Sequence, residues 1–150
     1  MDTPLTISLV APVYGVEKYI SRFAESVLGQ SYPHIQFIFV NDGTKDRSID
    51  LLNGLIDSKY PLLKERIIIV DKENAGLPAA RKTGMEYVTG DYVWHIDSDD
   101  WIEPDAVKKI AECAVQTGAD LIYFNFYKEY AEHTKLKVES DYAIEDKDEY

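Results

Sequence analysis

The sequence predicts an α/β domain with a mostly parallel central sheet and helices on both faces, and three observations carry that prediction. Five short apolar runs rich in β-branched and aromatic residues alternate with segments of helical periodicity from one end to the other. The helical segments carry end signals, with proline at two openings and glycine at two closings. Hydrophobic residues make up 45% of the 150 positions and charged residues 29%, which is ample for a compact core and too apolar for intrinsic disorder.

The elements follow in order. Thr6–Ala11 is the first strand, and Ile20, Phe23, Ala24, Val27 and Leu28 then form one stripe of a helix that closes near Gly29. Gln36–Val40 is the second strand. The helix after it spans about Asp46–Ser58 with Ile49, Leu52 and Ile56 inward, and Thr44 is its expected N-cap. Ile67–Val70 is the third strand, followed by a helix that opens at Leu77-Pro78 and runs to about Val88. Tyr92–Ile96 is the fourth strand. A last helix opens at Pro104, turns Val107, Ile110, Ala111, Ala114 and Val115 inward, and stops at Gly118; Leu121–Tyr127 reads as the fifth strand.

Charge and cysteine content narrow the partners. Acidic residues number 27 against 16 Lys+Arg, a formal charge of −11, so no counterion release favours binding to nucleic acid or to anionic lipid. Cys113 is the single cysteine, which excludes an intramolecular disulfide and a multi-cysteine metal site; it reads as a small core side chain. The longest apolar runs are of strand length, so no transmembrane segment is expected, and the chain reads as cytoplasmic and soluble. The segment from Lys128 to Tyr150 holds eight acids and four bases with little apolar periodicity; residues 1–127 are therefore read as the folded domain and 128–150 as an acidic, loosely held end.

In open parallel sheets, ligands bind beyond the carboxyl ends of the strands, so the residues after each strand decide function. Those junctions are Pro12-Val13-Tyr14, Asn41-Asp42-Gly43-Thr44, Asp71 to Gly76, and Asp97-Ser98-Asp99-Asp100. At the last, residues i and i+2 of an extended chain project to one side, so Asp97 and Asp99 can share a hard divalent ion such as Mn2+ or Mg2+ that also takes phosphate oxygens. The bland alternative is an acidic turn capping the next helix. Asp42 has the same double reading, as a turn former or as an acceptor for a nucleotide base or sugar hydroxyl. Asn74 to Arg81 opens a helix, where unpaired N–H groups and the positive dipole end favour an anion such as a diphosphate. Arg81, about one turn in, either reaches phosphate or is a solvated helix residue.

Several chemistries are absent from the sequence. It has no G-x-G dinucleotide fingerprint, no glycine-rich phosphate loop ending in Gly-Lys-Ser/Thr and no G-x-S-x-G nucleophile turn. His34, His95 and His133 do not form a metal pair at helical spacing. His95 shares a strand face with Asp97 and either touches phosphate or acceptor, or packs in the sheet; His34 and His133 read as surface residues.

Taken together, Ser8-Leu9-Val10-Ala11-Pro12-Val13-Tyr14, Phe37-Ile38-Phe39-Val40-Asn41-Asp42-Gly43-Thr44-Lys45-Asp46, Asn74-Ala75-Gly76-Leu77-Pro78-Ala79-Ala80-Arg81-Lys82-Thr83-Gly84 and Gly90-Asp91-Tyr92-Val93-Trp94-His95-Ile96-Asp97-Ser98-Asp99-Asp100 resemble glycosyltransferase family 2 of the GT-A fold, over about the first 105 residues. The resemblance implies a nucleotide-diphospho-sugar-binding domain that transfers a sugar with inversion. Pro12, Val13 and Tyr14 would line the nucleotide pocket, Asp42 would bind the base, usually uracil, and Asp46 would lie nearby. Gly76 and Arg81 would border ribose and diphosphate. Asp97 and Asp99 would match the family's D-x-D, with Asp97 and Ser98 on the nucleotide-sugar side and Asp99 as the closest ligand of Mn2+ or Mg2+.

The implied partners are a UDP-sugar and a glycan or glycoconjugate acceptor, and the implied setting is polysaccharide synthesis in the cytoplasm or, through further parts, at the cytoplasmic face of the membrane. The family's catalytic base normally follows the strand represented here by Leu121–Tyr127. Glu139, Asp141, Glu145, Asp146, Asp148 and Glu149 form no recognisable motif, so no base is assigned and the domain reads as truncated, a donor-binding half. A non-catalytic nucleotide-sugar-binding or partner module is the competing expectation.

Overall fold

The computed structural model describes residues 3–130 and 134–137. Four parallel strands, β1 (Ile7–Val13), β2 (Ile35–Asn41), β3 (Ile67–Asp71) and β4 (Tyr92–His95), form one sheet in the order β3-β2-β1-β4. The helices α1 (Ile20–Leu28), α2 (Ser48–Lys59), α3 (Leu77–Met85) and α4 (Ala106–Thr117) connect and cover them, with a short 3-10 segment, Pro61–Arg66, before β3. No described helix is long and apolar enough to cross a membrane.

Strand β1 is buried at every position and runs between β2 and β4, with Ile7 opposite Ile35 on one side and Tyr92 on the other. Successive side chains alternate between the faces of a strand. Ile7, Leu9, Ala11 and Val13 of β1 and Ile35, Phe37 and Phe39 of β2 accordingly pack with α1, α2 and α4, while Val10, Ile38 and Val40 pack with Ala80 of α3. The α1 stripe is buried residue for residue as its periodicity requires. Phe23 meets Phe39 edge-on at 6.3 Å between ring centres, a favoured aromatic geometry. In α4, Val107, Ala111 and Ala114 are buried, but Val115 is 71% exposed, so its stripe is narrower than the sequence suggested. Cys113 is half-buried on the same helix.

The polar group Ser8 is fully buried in the middle of the sheet and is satisfied there. Its hydroxyl donates to Gln36 Oε1 at 2.6 Å and accepts the Gly90 N–H at 3.0 Å. Leaving it unpaired would cost about 1–3 kcal/mol.

Leu121–Tyr127 does not continue the sheet. Tyr92 donates its hydroxyl to the Ala119 carbonyl and Trp94 meets Phe124 edge-on at 4.8 Å, so the segment passes beside β4 through side chains. Regular pairing begins only at β5 (Phe126–Glu129), which joins β6 (Thr134–Lys137) in a separate antiparallel pair that crosses the boundary expected after Tyr127. Strand propensity was legible in this run, whereas its partner depends on tertiary contacts that no local pattern encodes. The acidic residues from Glu139 onward, and His133, lie outside the described residues.

Helix α3 comes unusually close to the sheet. An alanine Cβ at position 84 would lie 2.4 Å from Val10 Cγ1 and 3.2 Å from Val40 Cγ2. Both valines are fully buried and β-branched, so neither side chain can swing away cheaply. Gly84→Ala should lower the thermal unfolding midpoint, because overpacking of about 1–3 kcal/mol outweighs the helix-propensity gain of about 1 kcal/mol. A midpoint equal to or above wild type would contradict this packing.

Candidate functional site

All four strands point the same way, so their carboxyl ends make one rim. The residues on it are held by different partners. Pro12 and Val13 belong to β1 itself rather than to a loop; both are buried, with Val13 in the core beside α1, while Tyr14 emerges just beyond and is 55% exposed. The loop behind Tyr14 is tied to the start of α2: Gly15 N–H donates to Thr44 Oγ1 at 2.9 Å, Val16 N–H to Ser48 Oγ at 3.1 Å and Glu17 N–H to Asp46 Oδ2 at 3.1 Å.

Asp46, not Thr44, organises that helix start. Its Oδ1 accepts the Ser48 N–H at 3.0 Å, the Ser48 hydroxyl at 2.6 Å and the Thr44 hydroxyl at 2.8 Å. Thr44 serves as a relay, its hydroxyl accepting the Gly15 N–H and donating to Asp46, while its own N–H is taken up by Asn41 Oδ1. Burial pushes the Asp46 carboxyl up, but the Ser48 hydroxyl and N–H, the Thr44 hydroxyl and the Glu17 N–H outweigh it and bring it down to about 2.

Asp42 follows β2 and is 3% exposed. Its Oδ1 accepts Lys72 Nζ at 2.8 Å and the Ala75 N–H at 3.0 Å, and its Oδ2 accepts the Gly76 N–H at 2.9 Å. Burial raises this carboxyl, yet these three donors leave it below its ordinary value. Gly43 allows the approach: its φ of +69° is left-handed, and a Cβ there would sit 2.8 Å from the Asn74 nitrogen. Gly76 is the N-cap position of α3. Two of the backbone N–H groups that the sequence reading reserved for a diphosphate are thus occupied by the chain's own carboxylate.

At the end of β4 the backbone turns, with Asp100 N–H donating to the Asp97 carbonyl at 3.1 Å. Ser98 is 4% exposed and donates its hydroxyl to the Pro12 carbonyl at 2.6 Å, binding the ends of β4 and β1 together. Carboxylate oxygens of Asp97, Asp99 and Asp100 all lie within 4.8 Å of one another. The convergence of Asp97 and Asp99 is therefore present, but it comes from a turn rather than an extended i, i+2 pair, and the turn adds Asp100. Burial, then the charges of Asp99 and Asp97, raise the Asp100 carboxyl. No Lys or Arg pairs with Asp99 or Asp100 among the described residues, whereas Arg81 Nη2 donates to Asp97 Oδ1 at 2.7 Å. Arg81 Nε is buried without a hydrogen-bond partner among the described residues. His95, expected either at the ligand or within the sheet, is exposed; burial of its ring and the Arg81 charge lower its pKa against the opposing pull of Asp97.

Three converging oxygen donors, crowded by their own repulsion and offset on one side by a single guanidinium, suit a hard divalent cation. The sequence reading did not assign Asp100 as a ligand, and it left out Lys72 and the anchoring role of Asp46. Asp100 was legible as the last acid of the run, but Lys72 reaches Asp42 only through the crossover that sets β3 beside β2.

A parallel α/β sheet with an acidic cluster at the β4 carboxyl end and a helix start beside it is the GT-A arrangement of nucleotide-sugar enzymes. S. aureus TarS 1-349, solved in complex with UDP, superposes with a TM-score of 0.68 at 23% identity, covering 77% of this chain and 34% of that one. The mannosyltransferase PcManGT from Pyrobaculum calidifontis, solved with GDP-Man and Mn2+, gives a TM-score of 0.65 at 20% identity over 79% of this chain and 33% of that one. At the sequence level, glycosyltransferase GlyA of Streptococcus pneumoniae serotype 4 (strain ATCC BAA-334 / TIGR4) is 40% identical over 121 residues, which is 81% of this chain and 17% of that protein. The family model for Glycosyl transferase family 2 matches residues 8–148, and the chain belongs to that family. It spans well under half the length of the relatives named here.

The Asp46 cluster sets a pH dependence. Its folded-state value of about 2 lies below the ordinary 3.8, so the unfolded chain binds the proton more readily. The stabilisation, on the order of 2 kcal/mol, is then present in full above about pH 5 and is lost as pH falls through 3.8 towards 2. Asp46→Asn should lower urea-unfolding stability at pH 7 and flatten its decline between about pH 4 and 2. A variant that parallels wild type across that window would contradict the role.

Proposed function

We propose that this chain is the donor-binding part of a metal-dependent, inverting glycosyltransferase that moves a sugar from a UDP-sugar to a hydroxyl of a glycan or glycoconjugate acceptor on the cytoplasmic side. The observation that carries the proposal is the convergence of Asp97, Asp99 and Asp100 beside Arg81 at the end of β4. The ligands of the structural neighbours support it: TarS was solved with UDP and with UDP-GlcNAc, and PcManGT with GDP-Man and Mn2+.

Asp99 and Asp97, with Asp100 alongside, would hold Mn2+ or Mg2+. When bound, the ion offsets charge developing on the departing diphosphate. Arg81 supplies a fixed cation at the same place, already oriented by Asp97. Exposed Tyr14, at the end of the strand next to β4, would offer a ring face to the nucleotide base, with Pro12 and Val13 fixing its position from within β1. Ser98 keeps the β1 and β4 ends in register, so Tyr14 and the acids stay at a constant separation. Inversion requires the acceptor hydroxyl to attack from the face opposite the leaving group, with a carboxylate taking its proton. No described residue is assigned that proton-accepting role.

Calorimetric titration with UDP in the presence of Mn2+ tests the proposal. Saturable binding should weaken on the order of tenfold or more on Asp99→Ala, and equally on metal removal by EDTA. Absence of UDP binding would overturn the donor-site reading, and binding indifferent to both treatments would overturn the metal role.

A further inference from the structure

We propose that the cleft between the start of α1 and the acid cluster is a subsite for the acceptor's sugar, in which a neutral pyranose ring lies against Trp101. That its occupant is the acceptor, and not the donor's own sugar, rests on the donor-site reading above.

The cleft has a volume of about 480 Å3, within the range of roughly 300–1,000 Å3 usual for small-molecule sites. One wall is the turn carrying Asp99 and Asp100, and the other is the chain entering α1, with Lys18, Tyr19 and Arg22. Trp101, 37% exposed, and the exposed ring of Tyr19 supply its apolar surface. The indole is held from two directions. The Arg22 guanidinium lies 3.3 Å from its ring centre and reaches Glu129 at 3.6 Å, which adds a cation–π attraction. The chain just after the indole is bound to α1: Ile102 N–H donates to Ser26 Oγ at 3.2 Å, Gln30 Nε2 to the Glu103 carbonyl at 2.6 Å, and Val107 N–H to Gln30 Oε1 at 3.0 Å. The platform is therefore fixed before a ligand arrives, which lowers the ordering cost of binding.

The lining selects the chemistry of the ligand. A fixed aromatic surface suits the C–H face of a sugar ring, and the charged groups around it suit the hydroxyls on its edge. A lipid tail would cover those charges without pairing them. An anion would meet the carboxylates of Asp99, Asp100 and Glu129. A neutral polyol accommodates both signs, because each hydroxyl donates and accepts. Position then assigns the sugar to the acceptor. Arg81 meets Asp97 from α3, which packs on one face of the sheet, whereas Lys18, Tyr19 and Arg22 approach Asp99 and Asp100 from the α1 side, which covers the other. The acid cluster thus stands between this cleft and the cation proposed to receive the diphosphate. Inversion requires the attacking hydroxyl to come from the side opposite the leaving group, and the cleft opens on that side.

Nuclear magnetic resonance titration of the full chain with the methyl β-glycosides of glucose, galactose and N-acetylglucosamine, with and without UDP and Mg2+, tests the assignment. At least one glycoside should shift the Trp101 indole N–H saturably and leave the Trp94 indole unmoved, with Trp101→Phe identifying the resonance. Trp101→Ala and Arg22→Met should each weaken that binding on the order of tenfold, read at backbone amides, while calorimetric affinities for UDP and UDP-GlcNAc stay at wild-type values. If no glycoside moves the Trp101 indole, or if the variants bind glycosides as well as wild type does, the proposal is overturned. If the variants weaken UDP-GlcNAc but not UDP, the cleft holds the donor's sugar and the acceptor assignment falls. If wild type binds glycosides at Trp101 but not UDP, the donor-site reading fails and takes the acceptor role with it, while the carbohydrate site stands. Should Trp101→Ala not fold, Arg22→Met, which removes only an exposed guanidinium, decides.

Discussion

The structure depends on β1 being central, parallel to both neighbours and buried on both faces. Side chains of a strand alternate, so a fully buried central strand must be apolar, or hydrogen-bonded internally as Ser8 is, at odd and even positions alike, and each parity must find its own covering layer. The odd set meets α1, α2 and α4, and the even set meets α3 through Val10. Parallel direction then brings the carboxyl ends of β1, β2, β3 and β4 to one edge, where Ser98 meets Pro12 although 86 positions separate them in the chain. A site assembled from the junctions after these four strands is a consequence of this arrangement.

Five acids on that edge differ because their surroundings differ. Asp42 and Asp46 are stabilised as anions by donors from the chain. Asp97 has Arg81. Asp99 and Asp100 have each other, and burial, then crowding by the neighbouring carboxylates, raises the second of them. The same residue type thus serves as a structural anchor where N–H groups converge and as a place for an external cation where they do not. Electrostatic need, more than sequence position, separates the two roles.

How much was legible in the sequence follows from how local each feature is. The α1 stripe, the glycine stop after α4 and the polar junctions are encoded within a few residues, and the structure contains them. The Asp97–Asp99 convergence was legible in outcome but not in cause, since a turn rather than an extended chain produces it. Thr44 looked like a cap because threonine favours that position, yet Asp46 lies two residues nearer to α2 and captures its first N–H, that of Ser48. The Lys72 contact with Asp42 and the separate β5–β6 pair required knowledge of which elements become neighbours. Those are tertiary facts, and periodicity carries no information on them.

The charge of −11 bears on how such a site would operate. A strongly acidic domain repels a diphosphate at long range, and screening reduces that repulsion beyond about 8 Å at physiological salt. What remains is decided at the rim, where Arg81 alone among the described residues pairs with an acid of the cluster. One guanidinium beside three carboxylates leaves a local excess of negative charge, so the cluster without a cation opposes the ligand that the fold suits. Cation and nucleotide binding would therefore be coupled, because each removes the repulsion that hinders the other. The pairing of Asp42 works in the same direction. Its charge is offset by Lys72 and two peptide N–H groups, so the β2 end of the rim adds little to the repulsion that the cation must overcome.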